Sequence, residues 1–509
     1  MSKLPLGWSV AQIGSLCTLE NGRAFKPSEW TTEGLPIVRI QNLNNPEATF
    51  NYFNGEFSER YRLCGGELLF AWSGTPGTSF GAHVWRGGEA VLNQHIFRVD
   101  FNEAAIDKRF FRFAINQKLN ELIDIAHGGV GLRHVTKSKF ESTEISLAPF
   151  NEQKRIADKL DAILARVDAR RQRLDRIPAI LKRFRQAVLA AAISGKLTED
   201  WRIDRIGRLE LKKKLVNEIN DAAHPNYDIF SDSDLISIDL SYKISEPPSQ
   251  VEELPEDWQW IKVGELAKKV TDGVHKKPNY VATGIPFLTV KNMTAGPGLD
   301  FSNTNFVTEI DHEEFCKRTY PERGDILVSK DGTLGVVRLI DTERIFSIFV
   351  SVALIKLRDK RMSKYMCIAL ESPILQKQMV GVGTGLQHIH LRDLREDLVP
   401  VPPLEEQAEI VRRVEALFAY ASRLEARYTA ARAQVEKLTP ALLAKAFRGE
   451  LVPQDPSDEP ASILLERIRL TRAENAAKPQ RPRRKAHAQN AVFASGSPSG
   501  QVGVPGESL

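Results

Sequence analysis

Hydrophobic and polar positions along the chain follow two kinds of pattern, and each kind occurs twice. Residues 4–149 and 254–403 consist of short apolar runs separated by glycine, proline and polar residues, which is typical of small mixed sheets. Each is followed by a long stretch in which apolar residues recur at spacings of four and three, and this favours a coiled-coil helix. The pattern therefore predicts a globular unit and a long helix, and then the same pair again.

The repetition extends to individual residues. The segment Gly34–Leu43 returns as Gly284–Met293, at an offset of 250 residues. Other matched features keep their order with small shifts, as insertions in loops would cause: Leu4-Pro5 and Trp8 with Leu254-Pro255 and Trp258, Gly131-Leu132-Arg133-His134 with Gly385-Leu386-Gln387-His388, and Glu152-Gln153 with Glu406-Gln407. A tandem duplication explains this order, and it changes how every other residue is interpreted.

The two long helices are expected to pair through their apolar seams. Pro178 and Pro440 fall inside the pattern and should kink or locally break their helices. Antiparallel pairing would place the two globular units at opposite ends of a pseudo-two-fold molecule. The predicted seam residues of this coiled-coil spacer are Ile156, Leu160, Ile163, Val167, Leu174 and Leu181 in the first helix, and Ile410, Val414, Leu417, Leu424, Val435 and Leu438 in the second.

These patterns predict an α+β protein: two similar mixed α/β domains joined by two long helices that form an antiparallel coiled coil. The predicted boundaries are a first globular domain at 1–150, a helical region at 151–225 with one long and one short helix, a connector at 226–253, a second globular domain at 254–403, a second helical region at 404–475, and a disordered basic tail at 476–509.

Composition adds little to this picture. The 509 residues are 42% hydrophobic and 27% charged, with a net charge of +5, which is ordinary for a globular protein and hints at nucleic-acid binding. The tail carries most of that charge. It has five basic residues from Lys478 to Lys485 and one acidic residue, Glu507, which gives it a net charge of +4. A solvated disordered end is the preferred interpretation of this tail, over a nucleic-acid-binding arm.

The chain shows no pattern of an enzyme, a secreted protein or a membrane protein. Its four cysteines lie far apart with no metal-binding spacing, and no long apolar run or signal segment is present, so we expect a cytoplasmic protein. Phosphate-binding loops, HExxH and GxSxG motifs are missing, and no metal site is predicted. We therefore expect no catalysis and no cofactor in this chain.

Taken in order, the duplicated motifs resemble those of a known family. The Leu-Pro-x-x-Trp opening, the Gly-[Leu/Ile]-Pro strand with its asparagine, the Gly-Leu-[Arg/Gln]-His loop, the Pro-x-x-Glu-Gln helix start and the Gly-[Lys/Glu]-Leu helix end look like the specificity (S) subunit of type I restriction-modification enzymes. The resemblance covers roughly residues 4 to 475 and leaves out the tail.

The resemblance implies a role in DNA recognition. Each target-recognition domain of such a subunit reads one half of a bipartite double-stranded DNA site, and the helices set the gap and dock two methyltransferase (modification) subunits. Restriction/translocase subunits join the complex. The resemblance also implies that S-adenosylmethionine for adenine methylation, ATP and Mg act on the partner subunits, and that the specificity subunit carries no catalysis.

Base reading requires hydrogen-bond donors and acceptors on loops at the end of a scaffold. Arg133 against Gln387 is the most informative difference, because Arg prefers guanine and Gln prefers adenine. The alternative is that matched residues such as Asn42 and Asn292 maintain the fold, while specificity lies in the unmatched segments 44–63 and 294–320. The DNA-binding candidates are Arg39, Gln41, Asn42, Ser73, Thr75, Arg133 and His134 in the first domain, and Lys291, Asn292, Lys330, Asp331, Thr333, Gln387 and His388 in the second.

Three histidines have no counterpart in the other repeat. His83, His95 and His275 are therefore interpreted as structural or solvated.

A second function remains possible beside DNA recognition. It is a coiled-coil scaffold whose globular units bind protein without sequence-specific DNA binding. Salt-sensitive binding to DNA would separate the two functions.

Overall fold

The computed structural model describes residues 4–45, 48–74, 80–124, 133–222, 253–383 and 387–477. It divides into two compact units: unit 1 combines residues 1–167 with 436–509, and unit 2 comprises residues 168–435. Each unit contains one globular repeat together with part of both long helices. The predicted connector and tail lie almost entirely outside the described residues, so both remain predictions.

The globular repeat of unit 1 is built on two four-stranded sheets, with strand orders β2-β10-β6-β8 and β4-β3-β9-β5. Two further pairs, β1-β12 and β11-β7, close the repeat, and every pairing is antiparallel except that of β3 with β9. The strands are β1 Ser9–Gln12, β2 Cys17–Asn21, β3 Leu35–Val38, β4 Asn51–Phe53, β5 Arg62–Leu63, β6 Leu68–Ala71, β7 Ser73–Gly74, β8 Gly81–Val84, β9 Ala90–Leu92, β10 Ile96–Phe101, β11 Arg133–His134 and β12 Glu144–Leu147. The helices between them are α1 Ile13–Leu16, α2 Ile40–Asn44, α3 Lys108–Gln117, α4 Leu119–Asp124 and α5 Lys137–Ser142.

The globular repeat of unit 2 has the same plan. Its sheets have the orders β14-β20-β17-β18 and β16-β15-β19, beside the pair β13-β21, and β15 with β19 is again the parallel pairing. The strands are β13 Gln259–Lys262, β14 Ala267–Asp272, β15 Ile285–Leu288, β16 Asn305–Val307, β17 Ile326–Ser329, β18 Val337–Leu339, β19 Ser347–Ile348, β20 Val352–Leu357 and β21 Leu398–Val401. The helices are α9 Val263–Leu266, α10 Val290–Thr294, α11 Glu309–Cys316, α12 Ser363–Glu371, α13 Pro373–Gln378 and α14 Leu391–Glu396.

Burial explains the central strands. Every residue of β6 and of β17 is buried, as expected for a strand covered on both faces. In unit 1, α3 begins where the Asp107 carboxylate accepts hydrogen bonds from two backbone N–H groups of the first turn, and the helix then buries Phe110, Phe111 and Phe113 against the sheet. Each unit contains two clusters of buried hydrophobic residues, a larger one and a smaller one.

The remaining elements are long helices: α6 Phe150–Asp175, α7 Ile177–Ile193, α8 Glu199–Ala222, α15 Leu404–Phe447 and α16 Ala461–Ala477. Pro178 behaves as predicted, since α6 ends just before it and the proline lies in the first turn of α7. At Pro440 the helix is not broken, since α15 continues through it, and the alternative prediction of a kink stays a prediction. Pro440 is exposed, so the carbonyl that loses its helical donor can bond to water instead.

Within unit 2 the two long helices run antiparallel. Ion pairs join Asp175 to Arg432, Arg185 to Glu425 and Asp200 to Arg413. The residue numbers increase along one helical stretch while those of the partners decrease along the other, which is the order expected of antiparallel helices. The predicted α+β fold with duplicated globular repeats and long antiparallel helices is confirmed. Among the described residues, no helix has the length and apolar character needed to span a membrane.

Candidate functional site

In unit 1 the central strand β6 ends in a backbone frame that brings distant loops together. The Trp72 N–H donates to the His95 carbonyl (3.3 Å), and the Trp72 carbonyl accepts from the Val135 N–H (2.9 Å). The next residue, Ser73, pairs with His134 across β7 and β11. The predicted candidates Ser73 and His134 therefore meet at the end of the sheet.

Unit 2 repeats this sheet-end frame at the end of β17. The Lys330 N–H donates to the Ser351 carbonyl (2.9 Å), and the Lys330 carbonyl accepts from the Ile389 N–H (2.8 Å). Asp331 pairs with His388 through an isolated bridge. Three predicted candidates, Lys330, Asp331 and His388, thus occupy the same positions as Trp72, Ser73 and His134 in unit 1.

The side chains on the frame of unit 1 form an aromatic end, defined here as Asn21, Trp72, His95 and His134. The Trp72 ring lies over Phe97 at a centroid distance of 5.5 Å, with the imidazoles of His95 and His134 at 5.4 and 5.8 Å. The indole N–H of Trp72 points to the Asn21 side-chain oxygen at 3.4 Å. The result is a surface of indole and imidazole rings.

Both imidazoles of the aromatic end retain unused hydrogen-bonding capacity. Burial lowers the pKa of His95, and the neighbouring charges of His134 and Arg39 lower it further, so the neutral ring prevails at pH 7. The Nδ1 atoms of His95 and His134 are buried and have no hydrogen-bond partner within the described part of the chain. A buried polar atom of this kind usually has a partner, which makes both nitrogens candidates for contact with a ligand.

The frame of unit 2 instead carries a charged end, defined here as Asp272, His275, Arg318 and Lys330. The Asp272 side chain is only 4% exposed and lies at the centre, 2.6 Å from Arg318, 3.1 Å from His275 and 3.4 Å from Lys330. Arg318 remains 56% exposed, so most of its five N–H donors are available after one binds the carboxylate. Asp272 therefore orients a half-exposed guanidinium at the surface.

The matched asparagines are used by the fold. Asn42 accepts from the Arg39 N–H (3.1 Å) and donates to the carbonyls of Ala48 and Thr49 (3.3 and 3.2 Å). Asn292 likewise accepts from a backbone N–H one turn earlier and donates to two carbonyls of the following loop. Both side chains are buried. These contacts favour the fold-maintaining interpretation over base reading for Asn42 and Asn292.

The other candidates are spread over the loops. The Arg39 guanidinium lies over the Trp30 ring at 5.3 Å. Gln41 and Lys291 are exposed on α2 and α10, and Thr333 and Gln387 are exposed in loops of unit 2. Thr75 lies outside the described residues, and the same holds for the side chain of Arg133. The predicted contrast of Arg133 with Gln387 stays a prediction.

Sequence reasoning missed the residues that complete the two ends. Trp72, Asp272 and Arg318 were not among the candidates, and His95 and His275 were interpreted as structural or solvated. Trp72 could have been found from its match with Lys330. Arg318 lies in the segment 294–320, which was predicted as a possible location of specificity.

A buried hydrogen bond ties each globular repeat to its long helix. The Trp8 indole N–H donates to Glu152 at 3.1 Å in unit 1, and the Trp258 indole N–H donates to Glu406 at 3.0 Å in unit 2. All four side chains are buried. The Leu-Pro-x-x-Trp and Pro-x-x-Glu-Gln motifs are therefore two halves of one contact.

The predicted seam residues are buried to different degrees. Leu438 is exposed, because the buried stripe of a straight helix drifts away from a strict seven-residue repeat and has moved to Leu443, Ala446 and Phe447. Ile163, Leu174, Leu417 and Leu424 are half-buried. Fully buried are Ile156, Leu160, Val167, Leu181, Ile410, Val414 and Val435.

The chain is thus a duplicated protein: each repeat has the same backbone frame at its sheet end, carries different side chains there, and is tied to a long helix. Among the described residues, no group of His, Cys, Asp and Glu side chains could hold a metal ion. The family model described as "Type I restriction modification DNA specificity domain" matches residues 5–179 and 255–431, more than half of the chain. The chain belongs to this family.

Individual relatives agree with this assignment. The chain is 32% identical to the Type I restriction enzyme EcoBI specificity subunit of Escherichia coli, over 92% of this chain and 94% of the relative. It is 29% identical to the EcoKI specificity subunit of Escherichia coli strain K12, over 94% of this chain and 98% of the relative. A solved structure from work on complex assembly and conformational transition of the type I R-M system shares the fold, with a TM-score of 0.61 and 19% identity over 88% of this chain and all of that chain.

Family membership gives this chain a role in DNA sequence specificity. The relatives are named specificity subunits of restriction enzymes, which confirms the prediction that the chain is not an enzyme in its own right.

Proposed function

We propose that each globular repeat reads one half of a bipartite DNA site, and that the long helices set the gap between the halves. In this proposal the helices also dock two methyltransferase subunits, which methylate adenine within the site, and restriction/translocase subunits join the same complex. S-adenosylmethionine, ATP and Mg belong to those partners in this proposal.

The observation that carries the proposal is the shared sheet-end frame with exchanged side chains. A protein that reads two different half-sites needs one scaffold for orientation and different groups for discrimination. Trp72 and Ser73 in unit 1 stand where Lys330 and Asp331 stand in unit 2, on matching backbone hydrogen bonds. If these positions served only to maintain the fold, the two repeats would have no need of different side chains there.

The chemistry of the charged end suits a base rich in acceptors. Arg318 is held by Asp272 and half-exposed, and a fixed guanidinium pairs well with the O6 and N7 acceptors of guanine in the major groove. We infer that the second half-site contains a guanine opposite Arg318.

The chemistry of the aromatic end suits a different contact. Trp72 offers an apolar ring face, and His95 and His134 each offer a nitrogen without a partner among the described residues. Apolar contact distinguishes the methyl group of thymine, and a ring nitrogen can donate to or accept from a base edge. We infer that the first half-site is read through an A·T pair at this position.

The helices supply the spacing in this proposal. α15 is 44 residues long, which corresponds to about 66 Å at 1.5 Å per residue. Half-sites about 34 Å apart present the same face of the duplex. The buried Trp8–Glu152 and Trp258–Glu406 bonds support a fixed attachment of each repeat to its helix.

Co-expression with the methyltransferase subunits of the same system tests the proposal. Methylated adenines in the host DNA, mapped by single-molecule sequencing, should fall in one two-part sequence with an unspecified gap. A strain with the methyltransferase subunits alone is the control and should lack this pattern. Methylation without any sequence pattern, together with salt-insensitive DNA binding, would support the coiled-coil scaffold instead.

A further inference from the structure

A shallow cleft in unit 2 is lined by five basic side chains. It has a volume of about 570 Å³ and lies between the start of β14 and the loop that carries Arg318. No acidic side chain lines it among the residues that the structure describes. The five basic residues are Lys268, Lys269, Arg318, Arg358 and Arg395.

Hydrogen bonds to backbone carbonyls hold three of these basic groups in place. Arg358 donates through Nε to the Glu265 carbonyl (2.9 Å), and Arg395 donates to the Val270 carbonyl (2.6 Å). Lys269 donates to the Arg318 carbonyl at 2.6 Å. Each arginine is exposed and uses only part of its donor set in these bonds, so the remaining N–H groups are fixed and available.

A β-bulge in β14 accounts for one of the five positive charges, that of Lys268. The register of β14 with β20 shifts between Ala267 and Lys269, which leaves Lys268 as the extra residue of the bulged strand. Lys268 and Lys269 are both exposed as a result. Two adjacent lysines of one strand thus contribute to the same cleft.

The matching surface of unit 1 lacks this concentration of positive charge. Sheet register places Thr18 where unit 2 has Lys269, and the position of Arg358 is taken by Asn102. Gly14 packs on Glu141 as Gly264 packs on Arg395, so an acid replaces an arginine. Buried Cys17 lies in the electrostatic field of two basic groups, Arg472 and Lys137, and of two acidic groups, Glu141 and Asp100. Positive and negative charges are thus equal in number around this residue.

The cleft is continuous with the charged end. Arg318 lines the cleft and also binds Asp272, whose carboxylate contacts Lys330 on the sheet-end frame. A surface that combines a row of fixed cations with an adjoining base-reading group matches duplex DNA, in which phosphates flank every base edge. An acidic protein segment would satisfy the charge but gives no reason for this continuity.

We propose that this cleft binds phosphates of the DNA backbone beside the half-site read by the charged end, and that unit 1 has no equivalent site. The inference rests on the proposed function, because it assumes that the charged end reads DNA. The two repeats then contribute unequally, and unit 2 supplies most of the salt-dependent affinity.

Salt dependence of DNA binding tests this inference. The double variant Lys268→Gln/Arg358→Gln is compared with Arg323→Gln/Lys377→Gln, which also removes one arginine and one lysine, both exposed in unit 2 but outside the cleft. Each full-length chain is assembled with its methyltransferase subunits and bound to a duplex that carries the methylated sequence. The cleft variant should lose about two units of the slope of log K against log[salt], at roughly 0.9 unit per phosphate contact, whereas the control should keep the wild-type slope.

The methylated sequence should stay the same in the cleft variant, because phosphate contacts position the protein without reading bases. An unchanged slope in the cleft variant would overturn the inference. It would also be overturned if the cleft variant bound DNA normally but failed to assemble with the methyltransferase subunits. Failure of the proposed function is a different result, namely the lack of any methylated sequence pattern with the wild-type chain.

Discussion

At the scale of single residues, the two repeats differ most where their backbones agree best. Asn21 and Trp72 of unit 1 correspond to Asp272 and Lys330 of unit 2 on the same frame. A buried carboxylate at position 272 is stable only with charged partners, and Arg318 is one of them. The residue at this matched position, Asn21 or Asp272, therefore determines whether a guanidinium such as that of Arg318 is held at the surface.

Arg318→Gln is predicted to change one base of the second half-site. Gln favours adenine where Arg favours guanine, and a good bidentate contact is worth about 1–3 kcal/mol of discrimination, or roughly 5- to 150-fold. Binding of the assembled complex to duplexes with single base changes measures this. Arg323→Gln removes an equal charge five positions along the chain and should leave the preference intact; a loss of preference in both half-sites would contradict the assignment.

Asp397→Asn is predicted to remove a pH-dependent loss of stability. Burial, followed by the charge of Asp393, raises the pKa of Asp397 to about 7. Because the folded pKa lies above the ordinary value of 3.8, the stabilisation is complete below pH 3.8 and is lost as the pH rises through about 7. Urea denaturation should show the variant to be more stable than wild type by roughly 1–3 kcal/mol at pH 8. The first repeat has the neutral residue Thr143 at the matching position.

At the scale of elements, the two sequence motifs that frame each repeat meet in one buried contact. Trp8 and Trp258 begin the repeats, and Glu152 and Glu406 begin the long helices. The ties differ in their support: Glu406 also binds Thr198 and Arg202, while the second oxygen of Glu152 has no partner among the described residues. Loss of the indole donor should therefore matter more in unit 1.

Trp8→Phe is predicted to destabilise the protein more than Trp258→Phe. Both variants lose the same indole N–H, but only Glu152 is left without a side-chain donor, which costs about 1–3 kcal/mol for a buried polar group. The difference in free energy of unfolding between the two variants, measured by urea denaturation at pH 7, should fall in that range. Equal losses would show that the tie is not a main support of the junction.

The sequence predicted the elements and, through its repeated motifs, several residues of the sheet ends, but not the contact between Asp272 and Arg318. The heptad spacing and the offset of 250 residues are local or repeated signals, so the helices and the duplication were accessible from the chain alone. Asp272 and Arg318 are 46 residues apart and meet only because the sheets fold. No local spacing encodes such a contact, and Arg318 was covered only by the unmatched segment 294–320.

At the scale of the whole molecule, the duplication distributes one task over two repeats. Each repeat has its own core, its own sheet-end frame and its own tie to a long helix. Such an arrangement permits one repeat to change its side chains while the other keeps its own. We propose on this basis that each repeat reads its half-site independently.

Exchange of one repeat is the most direct test of that claim. Residues 1–149 are replaced by the corresponding segment of a relative with a different methylated sequence, and the chimera is co-expressed with the methyltransferase subunits. Single-molecule sequencing of the host DNA should show one half of the methylated sequence replaced by that of the donor, with the other half and the gap unchanged. A change in both halves, or in the half assigned to residues 254–403 alone, would contradict the account.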